Sequence, residues 1–311
     1  HKYITDFEYT PTPTITYRVG SIVLRKELLW IHNRTQLMIR YTLLEAPSDV
    51  RLRLRPFFAF RDKHALTHAN MEADGRSRPI PGGVKCRLYS DFPWLYLQTD
   101  CRDAEFVPAP DWYYNFEYAR EIERGYEGDE DLLTTGYFEL SLGRRQSVIF
   151  SASVEAIGGM FAEALSARSR KVDFLSCLRH SARQFVVRRR DGRAEVLAGY
   201  PWYGQNGRQT LVALPGIALE QGRTEDCLDV LDTVVRGRRD GMFTGSFSAA
   251  EAADAPLWFF WVLQQLQRTL GEEEIWKRYG IVMIELLAAY RRGVGGVAVH
   301  GKRWVWAFVP E

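Results

Sequence analysis

The chain has 311 residues, 46% hydrophobic and 26% charged, a balance that supports one large or two medium globular domains and excludes a disordered chain. With 41 basic and 39 acidic residues the net charge is +2, so no global field steers the molecule toward polyanions and nucleic acid is not an expected partner. No apolar run approaches the ~18–20 residues of a membrane span, and Cys86, Cys101, Cys177 and Cys227 show neither C-x-x-C spacing nor flanking histidines, so neither a zinc site nor a disulfide framework is indicated and a reducing cytoplasm fits.

Short apolar alternations between turn signals predict strands through the first half of the chain. Thr14–Val19, 22–31 and 36–43 read as an antiparallel meander, and Val50-Arg-Leu-Arg-Leu-Arg55 alternates strictly, with Leu52 and Leu54 on one face and three arginines on a solvated one. Further strands are predicted at 84–88, 94–99, 137–142 and 147–152, so residues 1–153 read as an antiparallel β-sandwich. Beyond Ser153 the period becomes helical. Helices are predicted over 155–165, 172–189, 210–220, 224–235, 255–270 and 273–290. No βαβ alternation and no G-x-G-x-x-G motif is present, which disfavours a nucleotide-binding α/β fold. The expectation is two domains, β then α, divided as 1–153 and 154–311.

Between the strands and the later helices lies the densest cluster of unusual residues, Gly199-Tyr-Pro-Trp-Tyr-Gly-Gln-Asn-Gly-Arg-Gln-Thr-Leu-Val-Ala-Leu-Pro-Gly216. Tyr200, Trp202 and Tyr203 offer flat faces on which a pyranose can stack, and Arg208, Gln209 and Thr210 place hydrogen-bonding groups at the mouth of a helix. The alternative is an ordinary loop-to-helix junction with its aromatics turned to the core. Other clusters give weaker signals. His64 and His68 have i, i+4 spacing but lack a third ligand, so no metal is expected. Asp226, Asp229 and Asp232 read as an exposed acidic stripe. Asp254, before Ala255-Pro256, reads as a helix N-cap or as a substrate contact.

Residues 200–216 resemble the Tyr-Pro-Trp-Phe…Gly-Arg-Asp-Thr…Ala-Leu-Pro-Gly segment of glycogen-debranching enzymes of the amylo-α-1,6-glucosidase type. Tyr17–Gly20, Leu54–Asp62, Arg120–Gly125 with 130–132, Asp254–Phe259 and His300–Ala307 are similar to other stretches of that family, in the same order. The resemblance implies an N-terminal β-sandwich followed by the first helices of an (α/α)6 barrel. It implies hydrolysis of α-1,6-linked glucose with inversion, which needs two carboxyls ~6.5–9.5 Å apart and no cofactor. It further implies that Trp202 and Tyr203 stack on the sugar, that Arg208 and Gln209 bind its hydroxyls, and that Asp254 and Trp258 complete that wall, with branched α-glucan, glycogen or limit dextrin, as the partner. Gln209 departs from the family pattern, which has Asp there; Gln hydrogen-bonds but carries no charge. The catalytic acid and base are expected beyond Glu311, so the resemblance describes a central fragment, truncated at both ends and inactive alone. A non-catalytic α-glucan-binding protein of the same fold is the alternative.

Overall fold

The computed structural model describes residues 2–9, 12–31, 34–63, 65–156, 173–189, 191–200, 203–243, 251–293, 297–300 and 304–307. The chain divides into two compact units, 1–172 and 173–311. The helix expected over 155–165 lies almost wholly outside the described residues.

The first unit is built from eleven strands: β1 (Ile4–Glu8), β2 (Thr14–Val19), β3 (Ile22–Trp30), β4 (Gln36–Glu45), β5 (Val50–Leu54), β6 (Ser77–Ile80), β7 (Gly83–Cys86), β8 (Leu95–Thr99), β9 (Glu105–Glu117), β10 (Asp129–Leu142) and β11 (Ser147–Ser153), with a short helix α1 (Ala119–Glu123) before β10. Every pairing is antiparallel. One sheet runs β1-β2-β3-β4-β11-β8-β7-β6 and the other β5-β10-β9. Alternation decides which side chains meet: Leu43, Val84, Cys86, Leu97, Val148 and Phe150 of the large sheet share one buried cluster with Leu54, Leu133, Phe138, Leu140 and Leu142 of the small one. Arg55 is half-buried beside the Tyr113 and Tyr137 rings, but residues 50–54 behave as their alternation predicts, with Leu54 buried and Arg51 and Arg53 exposed. Both arginines nevertheless have partners, because Glu139 lies opposite Arg53 and accepts from it at 2.8 Å while reaching Arg51 at 3.2 Å.

The 13-residue strand β9 is not foreseen by local pattern, because Pro108 and Pro110 interrupt it. It is an edge strand, where a missing N–H is tolerated. Its ladder with β10 shifts register around Gly136, whose φ of +148° and close approach to the Val107 carbonyl, 2.2 Å from where a Cβ would stand, admit only glycine.

In this unit two consecutive carboxylates of β10 hold the irregular stretch after β5. Glu130, fully buried, takes the Arg61 guanidinium on both oxygens, the Tyr118 hydroxyl at 2.7 Å and the Thr67 N–H at 3.3 Å. Asp131 points the other way and accepts from the N–H groups of Ala69 (3.0 Å) and Asn115 (2.9 Å). His68 is not on a helix; its Nδ1 lies 3.8 Å from Asp131. His64 lies outside the described residues.

The second unit contains α2 (Phe174–Gln184), β12 (Val186–Arg188), β13 (Ala194–Gly199), β14 (Tyr203–Gln205), α3 (Gly207–Ile217), α4 (Thr224–Arg236), β15 (Arg238–Arg239), β16 (Met242–Phe243), α5 (Glu251–Leu270), α6 (Glu272–Arg292), β17 (Val297–His300) and β18 (Trp304–Ala307). The expectation of one helix over 172–189 is corrected: α2 ends at Gln184 and Val186 enters a small sheet β12-β13-β14. The apolar spacing that predicted continuous helix placed Val186 in the core by strand pairing instead, while Phe174, Leu175 and Leu178 of α2 are exposed. Leu211 and Leu214 of α3, Cys227 and Leu231 of α4, Phe259 and Leu266 of α5, and Tyr279 and Leu286 of α6 fill one core with Val186, Ala194 and Val196. No described helix is long and apolar enough to cross a membrane.

Candidate functional site

The hairpin β13–β14 and the first turn of α3 bring most of residues 199–216 to one place. Leu197 pairs with Gln205 and Gly199 with Tyr203. Directly afterwards Asn206 caps α3: its Oδ1 accepts from the Gln209 N–H at 2.8 Å and its carbonyl from the Thr210 hydroxyl at 2.7 Å. That cap fixes where the first turn begins and therefore where Arg208 points.

Arg208 meets α5. Its Nε donates to Asp254 Oδ2 at 2.8 Å, and the indole Nε1 of Trp258, one turn further along α5, donates to the same oxygen at 3.1 Å. The guanidinium carbon stands 5.8 Å from the Trp258 ring centroid, and Trp261 meets Trp258 edge-on at 5.7 Å. One carboxylate oxygen thus fixes both a cation and an aromatic face. The other, Oδ1, is buried without a hydrogen-bond partner among the described residues. Among the described residues Arg208 donates through Nε alone, to Asp254. On the same helix as Asp254, the Ala253 carbonyl accepts from the Tyr290 hydroxyl at 2.5 Å; burial first, then the charge of Asp254, pushes this phenol well above its ordinary range.

Asp254 is not the N-cap of its helix. Because α5 starts at Glu251, Asp254 lies inside the first turn and its side chain turns to Arg208 and Trp258 rather than to a backbone N–H. The spacing of Asp254 and Trp258 at i, i+4 signalled their contact; the Arg208 contact, 46 residues away in sequence, left no local signal.

The other expected residues divide. Tyr203 is 67% exposed on β14, free to offer a ring to a ligand. Gln209 is exposed, with its backbone held by the cap. Tyr200 is 53% exposed and leans on the end of α2, its hydroxyl donating to the Gln184 carbonyl at 2.6 Å and its ring meeting Phe185 at 5.5 Å. Trp202 lies outside the described residues. The acidic stripe on α4 is engaged structurally: Asp226 and Asp229 share Arg188, and Asp232 accepts from Arg278 at 2.6 Å and from the Tyr279 hydroxyl at 3.0 Å. Among the described residues no group of three His, Cys, Asp or Glu side chains could hold a metal ion.

Comparison with known proteins finds two family models that between them match most of the chain. Residues 1–149 match the model described as glycogen debranching enzyme N terminal, and residues 180–306 match the amylo-alpha-1,6-glucosidase model. No curated protein sequence matches. Among solved structures, a bacterial glucoamylase crystallised with acarbose aligns over 96% of this chain at 11% identity with a TM-score of 0.48. The chain spans about half of that structure, 51% of its length.

Proposed function

We propose, starting from a chain that belongs to the glycogen debranching enzyme family, that its second unit supplies one wall of a glucoside-hydrolase site for branched α-glucan. The observation that carries this reading is the convergence of Arg208 and Trp258 on a single Asp254 oxygen. A pyranose needs a flat apolar face to stack on and fixed donors for its hydroxyls, and this arrangement offers an indole beside a guanidinium whose terminal groups have no partner among the described residues. Tyr203 adds aromatic surface from the hairpin, the family resemblance assigns sugar stacking to Trp202 as well, and Gln209 adds an amide. In the family's chemistry the terminal α-1,6-linked glucose of glycogen or a limit dextrin is released with inversion, by a general acid and a general base. Arg208, Asp254 and Trp258 serve recognition in that scheme, as the first helices of an (α/α)6 barrel.

Tryptophan fluorescence during titration with an α-1,6-branched dextrin tests the reading. A saturable change is expected, absent on addition of dextrin-free buffer and weakened by Arg208→Ala; no change at any concentration overturns it. A non-catalytic glucan-binding role is favoured by one observation, the uncharged and exposed Gln209. Gln209→Asp discriminates between the two roles. On the hydrolase reading it strengthens glucan binding, because a carboxylate accepts hydroxyl protons better than an amide. An unchanged affinity supports a binding protein.

A further inference from the structure

A second, separate cluster lies on the first unit, on the outward face of the large sheet where it ends at β6. Strand alternation builds it. Val84, Cys86 and Leu88 turn inward and are buried, so Lys85 and Arg87 turn outward. Arg78 lies directly across from Lys85 on β6, and Tyr96 directly across from it on β8. The ring of Trp94, just before β8, lies in the middle of them. Arg78, Lys85 and Arg87 have their charged centres 4.8, 4.9 and 4.7 Å from its centroid, and Lys85 is also 5.7 Å from the Tyr96 ring.

Three cations around one indole need an explanation. Each attraction to the ring is individually favourable, but the cations repel one another at this separation, and among the described residues none of them has a carboxylate within ion-pair distance. Asp74 is held by Arg76 through both oxygens, at 2.8 and 2.9 Å, and feels the charge of Arg78 without forming an ion pair with it. Asp91, three residues before the ring, makes no ion pair with any of the three. The indole therefore fixes three cations that make no ion pair among the described residues on a sheet face, beside two half-buried aromatic rings. On a chain with a net charge of only +2, this concentration of positive charge is local.

We propose that this face binds a phosphate monoester carried on a carbohydrate, with Arg78, Lys85 and Arg87 holding the phosphate oxygens and Tyr96 with the rim of Trp94 meeting the sugar. Guanidinium groups match phosphate geometry and an ammonium supplies a point charge, while aromatic surface suits a pyranose. The choice of carbohydrate rests on the glucan reading above; the phosphate does not. The ester is borne either by a free sugar phosphate or by a glucan chain.

The test is native affinity electrophoresis of the full chain in gels containing phosphorylated amylopectin, the same polymer after phosphatase treatment, or no polymer. Wild type is expected to bind the phosphorylated polymer about 10-fold more tightly than the dephosphorylated one, as charge-assisted contacts imply. The Arg78→Gln, Lys85→Gln, Arg87→Gln triple variant should bind both polymers equally. Trp94→Leu keeps the net charge and removes the ring that gathers the cations, so it should also reduce the difference; circular dichroism checks that each variant is folded. Competition by glucose 6-phosphate assigns the free ester, and its failure assigns the polymer-borne one. Equal binding of both polymers by wild type overturns the inference and leaves the glucan site of the second unit standing, whereas binding of neither overturns both. Retention of the full difference in Trp94→Leu, or tighter binding of a single-stranded oligonucleotide through the same cations, reduces the cluster to a nonspecific positive surface and also overturns it.

Discussion

Replacing Glu130 by Gln is expected to cost the first unit about 3–5 kcal/mol, the largest stability effect foreseen in the molecule, because it leaves Arg61 buried without its counter-charge. Glu130 is completely buried and Arg61 only 18% exposed, so water cannot take the place of the carboxylate. The pH dependence follows from the same contacts. Burial pushes the Glu130 carboxyl up, but the hydrogen bonds from Arg61 and Tyr118, the Arg61 charge and the Thr67 N–H together hold it below its ordinary value of 4.5. A carboxylate depressed on folding stabilises the native state fully above its unfolded pKa and loses that contribution as pH falls through the folded one. Urea midpoints measured from pH 7 downward should therefore fall more steeply for wild type than for Glu130→Gln once the pH drops below the ordinary carboxyl value of 4.5, with the two converging only as the pH falls through the depressed folded pKa. A difference under about 1 kcal/mol at pH 7 would show that Arg61 finds another partner.

The second large effect falls on ligand affinity rather than stability. Asp254 and Arg208 are 38% and 42% exposed, so their pairing contributes no more than about 1 kcal/mol to folding, and Asp254→Ala should leave thermal unfolding nearly unchanged. Glucan binding is expected to weaken about 10- to 100-fold, the equivalent of one or more charge-assisted hydrogen bonds to the sugar, because Arg208 and Trp258 are no longer held by a common acceptor. Asp254→Asn should fall between, since an amide oxygen can still accept from one donor. In a double-mutant cycle, Arg208→Ala and Asp254→Ala should together cost little more than the worse of the two alone. Additive effects would mean that Asp254 touches the sugar independently, the substrate-contact role that its sequence setting also allows.

Much of the first unit was legible because its strands alternate. Residues 50–54 show both the reach of that signal and its boundary: alternation put Leu54 in the core and the arginines outside, but nothing local to those residues announced Glu139, which comes from a strand 86 residues later. Strand β9 escaped because Pro108 and Pro110 are penalised in any local reading, while their tolerance depends on lying at an edge. In the second unit the boundary of α2 was misplaced because a valine satisfies either period, and the decision belongs to the sheet that β13 offers it. For the site, the Asp254–Trp258 contact could be read from helical spacing. Its most informative member, Arg208, was placed at the mouth of a helix by the residues alone and given its sugar-binding role by the family resemblance, but its link to Asp254 required the packing of α3 on α5.

The two units also differ in a way that chemistry can monitor without altering the chain. Cys86 sits in the core of the first and Cys227 in that of the second, and burial pushes both thiols up to about 12. Neither can be alkylated at neutral pH until its own surroundings open. Cys177, exposed on α2, reacts at once and calibrates the reagent. Labelling rates resolved by peptide then time the breathing of each core separately, so that a ligand which steadies one unit is seen at one sulfur and not at the other.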